Sequence, residues 1–249
     1  MQDSFILRAA DRGHGRYLST GPNASYIAGH PDAVLTRQSS FNFHEYQSGR
    51  PGFGSVRVFG DEVFSGAGCG YNMHPHHDFA ICAFVLQGEL THINTVGNVD
   101  QLHAGDYYVF SAGSGGKHSE LNLRADDMNA IYIWFLPNRL YLPPAYHRGH
   151  FDSQANRNRL TELVGEAEGA LPIPQDVRVS RLVSDQPTEL TYRPASRQHG
   201  VYAFVIEGGA QVQGTALARR DSLGTWGVDA VTLRTGAGHN DLLVVETVM

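Results

Sequence analysis

Short runs of β-branched and aromatic residues, bounded by glycine, recur along the whole chain: Ser55 to Phe59, Ala80 to Gln87, Tyr107 to Phe110, Ala130 to Phe135, Val177 to Val183, Val201 to Ile206 and Asp241 to Val248. Each has the length of a strand, and their spacing fits a sandwich or barrel of antiparallel strands. Helical periodicity is scarce; the nearest approach, Asn156 to Glu168, is rich in Arg, Glu and Leu but interrupted by Gly165. Gly97-Asn98 and Gly105-Asp106 read as turns. The chain is expected to be all-β. Composition agrees: there are 28 glycines, and charged residues make up only 18%, where about 25% is usual. Glycine turns have displaced charged helix faces, which disfavours coiled coil, collagen and disorder.

The runs also repeat. Ala83-Phe84-Val85-Leu86-Gln87-Gly88 returns 120 positions later as Ala203-Phe204-Val205-Ile206-Glu207-Gly208. Leu102-His103-Ala104-Gly105-Asp106 is echoed by Leu217-Ala218-Arg219-Arg220-Asp221, each before another strand. Two related β-barrels in tandem follow from the pair of echoes. At 249 residues the chain can bury such cores without disulfide staples. Pro137 to Pro144 begins the connection, since proline stops ladder pairing, so the domains are expected at 1–142 and 143–249.

Nineteen basic and 25 acidic residues give a formal charge of −6, and Lys117 is the one lysine. Without a basic run, binding of nucleic acid is not expected. No stretch approaches the roughly 18 apolar residues of a membrane span, and Met1 to Arg8 lacks the pattern of a signal peptide. Two cysteines, Cys69 and Cys82, make no disulfide framework, so a cytoplasmic protein is expected.

The segment that carries chemistry is Met73-His74-Pro75-His76-His77-Asp78. Side chains of an extended strand alternate between faces, so His74 and His76 point the same way. Gly116-Lys117-His118-Ser119-Glu120 does the same with His118 and Glu120. The 41 residues between His76 and His118 leave room for strands that bring the second pair back beside the first. Three imidazoles and a carboxylate suit one borderline divalent ion such as iron, manganese, nickel, copper or zinc. A structural zinc site is usually closed and rich in cysteine; this set leaves coordination positions open, as catalysis requires. The other histidines, His92 and His44 among them, have no comparable spacing and read as structural.

These residues resemble the signatures of pirin and the bacterial pirin-like proteins. The first is His74-Pro75-His76-His77-Asp78-Phe79 followed by Phe84-Val85-Leu86-Gln87-Gly88-Glu89. The second runs through Gly97-Asn98 and Ala104-Gly105-Asp106 to Ser111-Ala112-Gly113-Ser114-Gly115-Gly116-Lys117-His118-Ser119-Glu120. Phe41-Asn42-Phe43 and Gly52 to Val58 are similar to the family's entry strands, and Gln175-Asp176-Val177 to the opening of its second barrel. The resemblance covers Phe41 to the C-terminus and is strongest through Tyr146. Residues from about Gly15 to Gln38 fit poorly and read as an insertion or divergent loop. Ala80, His77 and His103 depart from the family's usual glutamate, arginine and proline.

The resemblance implies a bicupin, two tandem jelly-roll-like cupin barrels, with one divalent metal ion, iron first, in the N-terminal barrel. It implies His74, His76, His118 and Glu120 as ligands and a metal-free C-terminal barrel. The internal offsets agree, since they carry the ligand positions to Pro194, Ser196, Leu233 and Thr235. It further implies a dioxygenase of quercetinase type that takes dioxygen and a flavonol or other enolisable aromatic, with Glu120 also acting as general base. Phe53, Met73, Phe79, Phe110 and Trp134 are the expected apolar wall. The alternatives are a non-enzymatic metal- or redox-responsive regulator using Cys69 and Cys82, and a metal-dependent isomerase or lyase. No protein partner is indicated.

Overall fold

The structure is a computed structural model and describes residues 3–44, 46–47 and 49–249. Met1 and Gln2, the start of the segment read as lacking a signal-peptide pattern, lie outside them. Twenty-two strands and two single-turn 3₁₀ helices (Ala9–Asp11 and Gly21–Asn23) make up the regular structure of the described residues. The chain is all-β, as expected. Even Asn156 to Glu168 holds a strand, Leu160–Val164. Among the described residues, no helix is long and apolar enough to cross a membrane.

The strands form two compact units. One comprises residues 13–51 and 56–150; the other takes the chain through Arg12, residues 52–55 and 151–249. The extreme N-terminus therefore goes with the C-terminal strands, because β1 (Asp3–Leu7) pairs along its whole length with β20 (Ser222–Trp226).

The first unit contains β2 (Gly13–Leu18), β3 (Ile27–Ala28), β4 (Val34–Ser39), β5 (Val56–Ser65), β6 (Cys69–His76), β7 (Ala80–Gln87), β8 (Glu89–Asn94), β9 (Val99–His103), β10 (Asp106–Ser111), β11 (Gly116–Asn122), β12 (Met128–Phe135) and β13 (Ala145–His150). They make a seven-stranded sheet, β13-β10-β7-β12-β5-β4-β2, and a five-stranded sheet, β3-β6-β11-β8-β9. The sheets are not closed into a hydrogen-bonded cylinder; they share one core as a jelly roll does. Its inward residues alternate along each strand: Ile81, Ala83 and Val85 of β7, Tyr108 and Phe110 of β10, Ala130 and Tyr132 of β12, Leu90 of β8. β7 and β12 also bury their other faces, Cys82 and Phe84 in one, Ile131 and Ile133 in the other. That is why they read as continuous apolar runs. The segment 15–38 is no loose insertion. It supplies β2, β3 and β4, which extend both sheets, because Tyr17, Ile27 and Leu35 belong to the same core.

The second unit repeats the plan with β14 (Leu160–Val164), β15 (Val177–Ser184), β16 (Thr188–Tyr192), β17 (His199–Glu207), β18 (Gly209–Val212), β19 (Thr215–Ala218), β20, β21 (Val231–Thr235) and β22 (Asn240–Val248). Its sheets run β1-β20-β17-β22-β15-β14 and β16-β21-β18-β19, around a core that includes Val201, Ala203, Val205, Leu233 and Val244.

The echoes in sequence are echoes in hydrogen bonding. Gly88 (φ +75°) ends β7 and Gly208 (φ +74°) ends β17; a Cβ there would stand 2.5 Å from the Asp127 carbonyl oxygen and 2.3 Å from that of His239. Asp106 and Asp221 each accept through Oδ2 from the backbone N–H three residues earlier, His103 at 2.7 Å and Ala218 at 3.1 Å. The residue before each, Gly105 or Arg220, donates its N–H to Val85 or Val205, at 3.0 and 2.7 Å. Both conformations have positive φ, so the second copy forms the turn with arginine where the first uses glycine.

Candidate metal centre

β11 lies between β6 and β8, and its register sets the site. His118 is opposite His74 on one side and Asn94 on the other; Glu120 is opposite Tyr71 and His92; Gly116 is opposite His76. Between His118 and Glu120 the β6 partner jumps from His74 to Tyr71. One extra residue on β6, at Asn72-Met73, faces the single Ser119. This β-bulge breaks the strict alternation, so Tyr71 and His74 both face inward although they are three apart. Ser119 Oγ closes the bulge by donating to the Tyr71 carbonyl at 2.7 Å. Gly70 (φ +151°) is required beside it, since a Cβ there would fall 2.0 Å from the Glu120 carbonyl oxygen.

The ring centroids of His74, His76 and His118 are 4.5–4.8 Å apart, and ligand atoms of the three lie within 4.8 Å of one another. His74 Nδ1 donates to the Asn72 carbonyl at 2.7 Å, which leaves Nε2 as the lone-pair nitrogen. His76 Nε2 and His118 Nε2 are buried without a hydrogen-bond partner. Glu120 Oε2 is 3.7 Å from His118 Nε2, and its Oε1 accepts from the Tyr108 hydroxyl. Orphaned, inward-facing imidazole nitrogens next to a buried carboxylate are what a cation would satisfy. The donor set fits a divalent metal ion. Without the ion, burial holds His76 near a pKa of about 3 and pulls His74 and His118 down as well, so these imidazoles are neutral and able to ligate. Burial pushes the Glu120 carboxyl up to about 8, against the opposing Tyr108 hydrogen bond.

Four further residues belong here that alternation alone did not reveal. His92 is fully buried on β8; its Nε2 sits 3.1 Å from His118 Nδ1, and it forms a second close group with His118 and Glu120. A contact of this kind on the far ring nitrogen orients a ligating histidine. Its signal was position: His92 and Asn94 share a strand face, as His74 and His76 do. Arg37 of β4 and Glu62 of β5 form a buried ion pair, Nε to Oε1 at 2.7 Å. Tyr71 bridges them, accepting from Arg37 at 2.8 Å and donating to Glu62 at 2.9 Å. Together with Tyr17, Tyr26, Phe43, His44, His74, Glu120, Tyr132 and Trp134 they line a cavity of about 190 Å³. His44, read as structural, is thus in the wall.

Of the expected apolar wall, Trp134 lines the cavity and stands edge-on to His76, centroids 4.9 Å apart. Phe79 packs on Trp134, and Phe110 stacks on His118. Met73 is 47% exposed, since the bulge turns it outward. Phe53 is not in this unit; it packs among Phe5, Tyr202 and Trp226 of the other. Cys69 and Cys82 are unpaired and fully buried. Burial raises both thiols, Cys69 to about 11, the reverse of what a redox sensor needs. In the second unit Leu233 is a core residue and Thr235 accepts from Ser184 at 2.8 Å.

The pirin family model matches residues 25–135, and the model of the quercetinase C-terminal cupin domain matches 165–246. A candidate quercetin 2,3-dioxygenase of Pseudomonas aeruginosa is 31% identical over 219 residues, 85% of this chain and 92% of that protein. The chain belongs to the pirin family. Another relative is the quercetin 2,3-dioxygenase of Escherichia coli K12, 29% identical over 241 residues and 96% of each chain. Among solved structures, the bacterial pirin YhhW of Escherichia coli in complex with nickel(II) superposes with a TM-score of 0.85 over 99% of each chain at 24% identity. At that identity the likeness fixes the bicupin fold of this pirin family member.

Proposed function

We propose that the chain is a mononuclear metal-dependent oxygenase of quercetinase type, with His74, His76, His118 and Glu120 as ligands and a flavonol or other enolisable aromatic as substrate. The observation that carries the reading is the pair of buried, unpartnered Nε2 atoms of His76 and His118 beside a cavity walled by aromatic rings. The names of the relatives, quercetin 2,3-dioxygenase in Escherichia coli, support the same reaction class. Iron(II) is the first expectation for the ion; the nickel(II) held by the Escherichia coli pirin makes nickel the next.

A bound divalent ion supplies Lewis acidity toward an enol oxygen and a route for electrons to dioxygen. The protein's part is positional and acid–base. Trp134, Phe43 and Tyr26 offer flat surfaces for an aromatic ring and exclude water from it. Tyr108 fixes Glu120 by one oxygen and leaves Oε2 toward the histidines. When it is not ligating, Oε2 is the group placed to accept the proton of the substrate hydroxyl.

The decisive experiment is metal content by mass spectrometry for protein purified without a histidine tag, with oxygen uptake on quercetin. About one equivalent of metal in the wild type, lost in His118→Ala together with oxygen uptake, is the expected result. A wild type that neither contains nor takes up a divalent ion would overturn the reading.

A further inference from the structure

Tyr132 is a wall residue that the ligand set leaves unused. It projects inward from β12, and the carboxylates of Glu120 and Glu62 both act on its phenol. Its ring is held nearly parallel to that of Phe64, centroids 6.3 Å apart. The neighbouring phenols are engaged: Tyr108 donates to Glu120 and Tyr71 to Glu62. The Tyr132 hydroxyl is buried and has no hydrogen-bond partner among the described residues, although it belongs to a cavity-lining side chain. Buried polar groups are otherwise almost always satisfied, and an exception on a side chain that lines a cavity points to what the cavity holds. Burial also raises the phenol well above its usual pKa, so at neutral pH it carries its proton and donates.

We infer that Tyr132 sets the substrate specificity of this site, its hydroxyl donating a hydrogen bond to an oxygen substituent of a flat, polyhydroxylated aromatic whose enolisable edge lies at His74 and Glu120. The inference rests on the oxygenase reading above and adds the second point of attachment. One donor of this kind discriminates strongly, because an analogue without the oxygen leaves the buried hydroxyl unpaired.

The test is anaerobic titration of the iron(II)-loaded protein, wild type and Tyr132→Phe, with two probes. Quercetin carries five hydroxyls; 3-hydroxyflavone keeps only the enolisable edge. The wild type is expected to prefer quercetin, and Tyr132→Phe to weaken quercetin by about 10-fold, ~1.4 kcal/mol, while holding 3-hydroxyflavone within about twofold. The ligand-free variant should melt no lower than wild type, since it loses a hydroxyl that bonds nothing in the protein. Equal quercetin affinity in both proteins, equal losses for both probes, or a lower melting temperature of the ligand-free variant would each overturn the assignment. If the wild type still consumes oxygen with quercetin in those cases, the oxygenase reading survives; if the wild type binds neither probe, both fall.

Discussion

Glu62→Gln tests whether the buried cluster at the cavity end is a structural element in its own right. Arg37 is 5% exposed and Glu62 not at all. The guanidinium meets Glu62 at 2.6–2.7 Å and Tyr71 at 2.8 Å. Removing one partner of a buried pair costs about 3–5 kcal/mol, because the other charge is left uncompensated. The glutamine oxygen still accepts one hydrogen bond, so the lower end, about 3 kcal/mol, is expected. For a chain of this size that corresponds to ~6–12 °C in melting temperature, at about 2–4 °C per kcal/mol. The assay is urea unfolding followed by tryptophan fluorescence in a Trp226→Phe background. The two tryptophans, Trp134 and Trp226, fall one in each unit, so the remaining signal reports the unit that holds Arg37. The double variant Arg37→Met/Glu62→Met should recover most of the loss, since apolar replacement of a whole buried pair is often neutral or better. A loss below about 1 kcal/mol for Glu62→Gln, or a double variant worse than the sum of its singles, would refute the reasoning.

Without metal, stability should pass through a maximum near pH 6.5. His76 and His92 fold with pKa values of about 3, so their contribution is full above about 6.5 and is lost as pH falls toward 3. Glu120, raised to about 8, contributes in the opposite sense, losing stability as pH rises from about 4.5 to 8. Urea midpoints at pH 5, 6.5 and 8 check this, and Glu120→Gln should flatten the alkaline limb. Gly88→Ala should cost about 1–3 kcal/mol by forcing a Cβ into a left-handed turn against the Asp127 carbonyl, read as a shift in urea midpoint at constant slope. Phe53→Ala should cost about 3–5 kcal/mol yet leave quercetin affinity within about twofold, whereas Trp134→Ala should weaken quercetin binding; a loss of affinity in Phe53→Ala would return that ring to the cavity wall.

The strands were legible because the central ones are apolar on both faces, and the hexapeptide echo located two equivalent hairpins. The convergence of His74, His76, His118 and Glu120 on one face was legible from period-two spacing together with a return strand. Tyr71 was hidden because the bulge places it off the period. Arg37 and Glu62 were hidden for another reason: nothing local marks an ion pair formed across 25 positions by neighbouring strands, and the segment 15–38 departs from the family's pattern. Phe53 misled because it adjoins a strand of one unit while packing in the core of the other, a contact no local pattern encodes.

The bulge at Asn72-Met73 makes β6 a strand of two phases. Before it, odd-numbered residues (Cys69 and Tyr71) look into the core; after it, even-numbered ones (His74 and His76) do. The hydroxyl that bridges Arg37 and Glu62 and the imidazoles suited to a metal therefore come from one strand but from opposite sequence parities. Were the bulge straightened with both of its residues kept, strict alternation would run through β6, and then only one of the two groups could face inward. A one-residue slip, with no ligand altered, would separate the arm that shapes the cavity from the arm that carries its chemistry.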